Sequence, residues 1–289
     1  VTDEIGKDIF LWNTPLVKSG DPAQIGALLK SGGFESVILK VADGPFKHFV
    51  KVNGKWVESV TPETVAGLKA QGLKVFGYGF CYGVNIRGEA SIAVAQCRSL
   101  KLDGYVFDVE GRFEKQKDCV VRAKDLGERF RAELPDVFAV FCGFAMFKSW
   151  KGGTWHNVEL HKSMLSWCDA GVPMCYWAGD KGTAAVALLD ETLRQWRTIT
   201  AKPIYPAGRA YNGDAGLASV DGILAFGNHL RDLGIPGESW WVLDQVVNRL
   251  PPSIWSALAS LSGFLGPAVP PAPTIEERLS AVEKLAHAH

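Results

Sequence analysis

The chain has 289 residues, 31 basic and 31 acidic, and 47% of them are hydrophobic. That length suits one large barrel or two smaller domains, with ample apolar surface for a packed core. A net charge of zero argues against nucleic acid or an anionic membrane as the main partner. No apolar run approaches the ~18 residues of a membrane span. The opening Val1-Thr2-Asp3-Glu4 lacks the basic and apolar regions of a signal peptide, so synthesis in the cytoplasm is expected.

From residue 8 onward, short apolar runs alternate with longer amphipathic stretches. A strand over 8–12 leads to a helix over 22–30, and a strand over 36–41 to a helix over 62–71, where Thr61-Pro62-Glu63 reads as cap, first-turn proline and acid. The pattern repeats as strand 74–80 with helix 87–100, strand 104–109 with helix 118–133, and strand 137–141 with helix 158–167. It continues as strand 172–177 with helix 183–199, strand 203–206 with helix 220–233, and strand 239–243 with helix 253–261. Gly72 and Gly234 follow their helices as C-terminal stops. Eight strand–helix units in a row predict an α/β fold, a closed (β/α)8 TIM barrel over residues 1–265. The competing open nucleotide-binding sheet is disfavoured because no G-x-G-x-x-G follows the first strand. Residues 266–273, rich in proline, read as a stiff linker. Residues 274–289 read as a short amphipathic helix with Ile275, Leu279, Val282 and Leu285 on one stripe. That helix could dock on the barrel, mediate self-association, or begin a further segment.

Six cysteines occur, none in a C-x-x-C pair and none at a zinc-like spacing from histidine. Free, mostly buried thiols and a reducing compartment are expected, with no metal site. His156 and His161, five residues apart, make poor metal partners and are expected on the surface. There is no G-x-S-x-G nucleophile elbow, and Lys151-Gly152-Gly153-Thr154 reads as a plain loop.

The chemistry points to the fourth strand, which ends Phe107-Asp108-Val109-Glu110. In a strand, residues two apart face the same way, and two carboxyls held that close split their pKa values. Such a pair supplies the acid and the charged partner of a glycosidase. In (β/α)8 barrels the strand C-termini carry the active site, so Asp108 and Glu110 fall on the working face. Other strand ends supply Trp12, Lys40, Asp43, Tyr78, Tyr176, Trp177, Asp180, Trp241 and Gln245. Tryptophan and tyrosine offer flat apolar faces with a hydrogen-bonding edge, which suits a sugar ring.

These residues resemble the lysozyme-type glycoside hydrolases of family 25, barrels that cleave peptidoglycan. Asp8-Ile9-Phe10-Leu11-Trp12-Asn13 is similar to that family's D-V-S-x-W-Q, and Leu39-Lys40-Val41-Ala42-Asp43-Gly44 to its K-A-T-E-G. Tyr78-Gly79-Phe80 resembles its Y-H-F, Phe107-Asp108-Val109-Glu110 matches its L-D-V-E, and Trp241 with Gln245 resembles its W-x-Y/W-Q. Phe10, Asp43 and Gly79 stand where the family carries Ser, Glu and His. The resemblance implies Glu110 as general acid, Asp108 as the charged neighbour that orients an N-acetyl group, Asp8 as a supporting carboxylate and Asp180 as a fourth. The segment 103–110 also resembles the D-G-x-D-x-D-x-E of family 18 chitinases, with Val106 in place of the middle Asp. Both likenesses imply a polysaccharide partner bearing N-acetyl groups and no cofactor. They imply action on the cell wall, as in a phage lysin released or carried without a signal peptide. The alternative is a glycosidase-like barrel that has lost turnover and serves as a glycan-binding or phage structural module.

Overall fold

The structure, a computed structural model, describes residues 5–213 and 216–261. The linker at 266–273 and the amphipathic helix at 274–289 lie outside the described residues. Eight parallel strands run in sequence order around one sheet: β1 (Asp8–Leu11), β2 (Ser36–Asp43), β3 (Lys74–Cys81), β4 (Gly104–Val109), β5 (Phe138–Phe144), β6 (Ala170–Cys175), β7 (Ala207–Arg209) and β8 (Ser239–Trp241). The sheet closes on itself below β1 and β8. Lys7 bridges Glu238 in parallel fashion, the Asp8 N–H donates to the Glu238 carbonyl at 2.9 Å, and the Glu238 N–H donates to the Gly6 carbonyl at 3.0 Å. The expected (β/α)8 barrel is the fold observed.

Eight helices alternate with the strands: α1 (Pro22–Ser31), α2 (Pro62–Ala70), α3 (Ile86–Leu100), α4 (Cys119–Glu133), α5 (Val158–Trp167), α6 (Gly182–Trp196), α7 (Val220–Asp232) and α8 (Pro252–Ser260). Local chemistry sets their starts. Asp21 accepts from the Ala23 and Gln24 N–H groups, Asn157 from Glu159 and Leu160, and Ser219 from Gly222, each satisfying donors that a first helical turn leaves open. Thr61 and Thr64 cap α2 reciprocally. No helix among the described residues is long and apolar enough to cross a membrane.

Strand alternation divides the core in two. Ile9, Leu11, Val37, Leu39, Phe107 and Phe141 face outward and pack under the helices, whereas Phe10, Ile38, Phe76, Tyr78, Val106 and Val140 fill the barrel interior. All six cysteines are buried free thiols. His161 is buried as well, its Nδ1 2.9 Å from the Asn157 carbonyl oxygen. That corrects the expectation of a surface histidine. Burial drives its pKa down to about 4, so it packs as a neutral ring against Phe141 and Phe147.

Three differences from the expected elements bear on the site. The seventh strand is not 203–206 but Ala207–Arg209, because Pro203 and Pro206 have no N–H to give the ladder. The sixth strand ends at Cys175, two residues short of Trp177. Between β2 and α2 stands an unforeseen hairpin, Phe49–Val52 paired with Lys55–Glu58. Its turn is Asn53-Gly54, both at positive φ, the signature of a two-residue hairpin loop.

Candidate active site

The barrel mouth, at the strand C-termini, is built around the end of β4. Tyr105, Phe107 and Val109 point out to the helices while Val106 points in, so Asp108 and Glu110 follow Val106 toward the interior and the mouth. Asp108 is 6% exposed, and Glu110, the residue preceding a one-turn helix at Gly111–Glu114, is only partly buried. Burial pushes both pKa values up. The neighbouring Glu110 raises that of Asp108 further, and the Lys40 ammonium pulls against the rise on both. Two groups this close titrate as a pair. Asp108 is the more deeply buried of the two.

Lys40 and Asp43 reach the same mouth by an irregularity that alternation alone would forbid. Residues three apart in a strand face opposite ways, but the β2–β3 register shifts between Lys40 and Ala42. Val41 and Ala42 both lie against the outward positions of Gly77 and Gly79, and this bulge re-aims the strand end. Lys40 Nζ then lies 3.1 Å from Asp43 Oδ1 and 5.5 Å from the Trp12 ring. Asp43 accepts from Tyr82 Oη at 3.2 Å.

The floor of the mouth is aromatic. Phe10, Tyr78 and Trp241 form one cluster with ring centroids 5.3, 5.4 and 6.0 Å apart, and Trp12 leans on Trp241 at 6.2 Å. Trp12 is 40% exposed, while Phe10, where the related motif has a small Ser, fills the space beneath. The Trp241–Val242 peptide is cis. The Tyr78 hydroxyl and Asp108 Oδ1 are buried, and neither has a hydrogen-bond partner among the described residues. Burial, then Asp108 and Asp244, raise the Tyr78 pKa far above the phenolic range. Tyr176 also borders the pair. Burial, with Cys142, Asp108, Tyr211 and Glu110 contributing, holds it protonated. Gly79 is not a mouth position at all: a side chain there would run into the Tyr105 hydroxyl on the outer face.

Four expected site residues have partners of their own outside this group. Trp177 is buried in the outer layer, stacked on Phe226 of α7 at 5.3 Å, because β6 ends before it and its side chain turns under the helix. It is not a sugar platform. Asp180 is exposed in the loop before α6, where its backbone carbonyl accepts from Ser219. Gln245 accepts from the Asn212 N–H at 3.2 Å and braces the neighbouring hairpin. Asp8 points into the barrel two residues below Phe10, near the closing seam, and is fully buried. Ser239 Oγ donates to it at 2.6 Å, and burial raises its pKa far above the usual carboxylate range. Asp103, the first acid of the chitinase-like motif, ties the Lys69 ammonium and the Val75 N–H at the start of β4, each at 2.7 Å.

Asp244, just after the eighth strand, clamps the end of β1 by accepting from the Trp12 N–H at 3.3 Å and Asn13 Nδ2 at 3.0 Å. Grooves on the outer surface, about 740 Å³ beside α3 and α4 and about 630 Å³ beside α5, hold no buried carboxyl pair. Chemistry, and not concavity, locates the site at the mouth.

An open-mouthed (β/α)8 barrel with an acid pair on its working face is a common enzyme architecture. No protein-family model and no curated protein matches this chain. Among solved structures it is similar to a GH18 chitinase from Pseudoalteromonas aurantia (TM-score 0.64, 16% identity, covering 89% of this chain and 100% of that one). It is also similar to the spore cortex-lytic enzyme SleL of Bacillus cereus (0.64, 11%, 91% and 76%), and to an endo-β-1,4-mannanase from Thermotoga petrophila (0.65, 11%, 94% and 79%). At these identities the likeness is one of fold.

Proposed function

We propose that this barrel is a glycoside hydrolase acting on an N-acetylated glycan, with peptidoglycan the first substrate to test and chitin the second. The observation that carries the reading is the Asp108–Glu110 pair: two carboxyls two residues apart whose pKa values burial raises, one buried and one partly exposed, at a mouth floored by aromatic rings. Asp108 Oδ1 and the Tyr78 hydroxyl add two buried polar atoms without hydrogen-bond partners among the described residues, a setting that fits the amide and oxygen of an acetamide group. The family 25 and family 18 resemblances and the names of the structural neighbours point the same way.

In this mechanism the sugar stacks on Trp12 and Trp241, and Asp108 accepts a hydrogen bond from the acetamide N–H. That bond favours the carboxylate form of Asp108 and moves the proton of the pair to Glu110. Glu110 donates it to the glycosidic oxygen as the C1–O bond breaks, and the acetamide carbonyl oxygen bonds to C1. The Glu110 carboxylate then takes a proton from water, whose oxygen attacks C1 and reopens the ring.

The test is release of reducing ends from purified peptidoglycan, with chitin oligomers in parallel. Glu110→Gln should lower turnover by about 10²–10⁴-fold while glycan binding and the melting temperature stay near wild type. A fully active Gln variant would remove Glu110 from the mechanism.

A further inference from the structure

Resting on that reading, we propose that the mouth carries a second sugar-binding surface on the β5 side, formed by Phe144, Trp155 and His156 and braced by Glu114. A glycan chain would therefore lie on both sides of Glu110 and be cut internally rather than trimmed from an end.

Three observations converge on this surface. The first is position. In a closed ring of eight strands in sequence order, β5 stands opposite β1, so the loop after β5 faces Trp12 across the mouth, with Glu110 at the end of β4 beside it. The second is the ring stack. Phe144 closes β5, His156 lies flat on it with centroids 3.6 Å apart and planes 12° off parallel, and Trp155 continues the stack at 5.7 Å and 23°. Trp155 is 57% exposed, an indole face offered to solvent at the top of an ordered column.

The third is the link to the acid pair. Glu114 belongs to the single turn that follows Glu110, and its N–H donates to the Glu110 carbonyl at 3.0 Å. Its carboxylate accepts from the Asn157 N–H and holds His156 Nδ1 at 2.9 Å. Phe144 comes within 3.9 Å of the position a side chain would take at Gly111, the residue after Glu110. The carboxylate fixes the histidine ring, leaving Nε2 without a hydrogen bond from the described residues and able to meet a sugar hydroxyl. A rigid flat column with one polar edge is what a pyranose ring recognises, and this one adjoins the reacting group.

Binding of chitin hexamer by calorimetry in the Glu110→Gln background tests the surface independently of turnover. Trp155→Ala should weaken the hexamer by about five- to tenfold, with Trp155→Phe restoring most of it, and chitin dimer affinity should change less than twofold. Unchanged hexamer affinity in Trp155→Ala, or equal loss for dimer and hexamer, overturns the proposal. Because Trp155 is exposed, its melting temperature should match wild type, which separates binding loss from misfolding. In parallel, the wild-type enzyme should cut the hexamer to internal fragments before monomer accumulates, and monomer-first release overturns internal cutting. If wild type cuts neither hexamer nor peptidoglycan, the hydrolase reading fails, while the binding series still decides the surface.

Discussion

At the mouth of the barrel, Asp108 and Glu110 sit at the end of β4 beside Lys40. At the opposite end, Asp8 and Glu238 sit with Lys7 where β1 meets β8. Both groups hold buried carboxyls whose pKa values burial raises, and both hold one lysine. Their openness differs. Glu110 is partly exposed and Trp12, at the same mouth, is 40% exposed, whereas Asp8, Glu238 and Lys7 are sealed. Lys7 Nζ spends its hydrogen bonds on the Gly32 and Leu258 carbonyls at 2.8 and 2.6 Å. A perturbed carboxyl marks a functional site only where a substrate can reach it. At the sealed end the same physics closes a seam.

Breaking this comparison begins with the largest effect. Glu110→Gln should cost the ~10²–10⁴-fold in turnover expected of a lost general acid with no loss of stability. A stability change without an activity change would make the two ends alike. Trp177→Ala should destabilise by about 3–5 kcal/mol, the cost of a large cavity in a packed layer, as read by denaturant unfolding. Weaker glycan binding at unchanged stability would return Trp177 to the mouth.

The sealed end has its own signature. Burial pushes Glu238 up to about 7 from an ordinary 4.5. Its contribution to stability is therefore full below pH 4.5, falls as pH rises toward 7, and is level above that, a span of about 3 kcal/mol. Glu238→Gln should flatten this window and raise stability above pH 7 by up to that amount, less whatever Lys7 loses with its counter-charge. Urea unfolding between pH 4.5 and 8 reads it, and an unaltered slope removes Glu238 as the titrating group. Activity should not move.

At the mouth, Lys40 opposes the burial that raises the Glu110 pKa. A general acid works while protonated, so activity is lost as pH rises through its pKa. Lys40→Met should thus shift the alkaline limb of the pH–rate profile to higher pH, and a shift downward would contradict the assigned pairing. The smallest effect is Trp12→Ala, about 1 kcal/mol of lost stacking, seen as a several-fold rise in KM with kcat nearly kept. A loss confined to kcat would place Trp12 in chemistry instead of binding.

Much of this was legible along the chain. The eight strand–helix units follow from apolar periodicity and caps, which are local properties, and the D-x-E at the end of β4 follows from alternation and from the direction of parallel strands. The hairpin at Asn53-Gly54 was equally local and was passed over, since an N-G pair between apolar runs announces it. Trp177 was misread for a different reason. Proximity to a strand end says nothing about where a side chain turns once the strand has stopped, and β6 stops two residues before Trp177.

The amino-acid sequence alone determined the barrel, its strand order and the placement of Asp108 and Glu110 on one face, because each of these follows from short-range patterns repeated along the chain. Tertiary structure decided the rest. The bulge in β2 brought Lys40 and Asp43 to the mouth together, burial raised the pKa values of both Asp108 and Glu110, and ring closure set β5 across from β1. It also sealed Asp8 and Glu238 away from solvent. Burial, desolvation and cross-barrel position are sums over residues far apart in sequence, and only the closed barrel performs that sum.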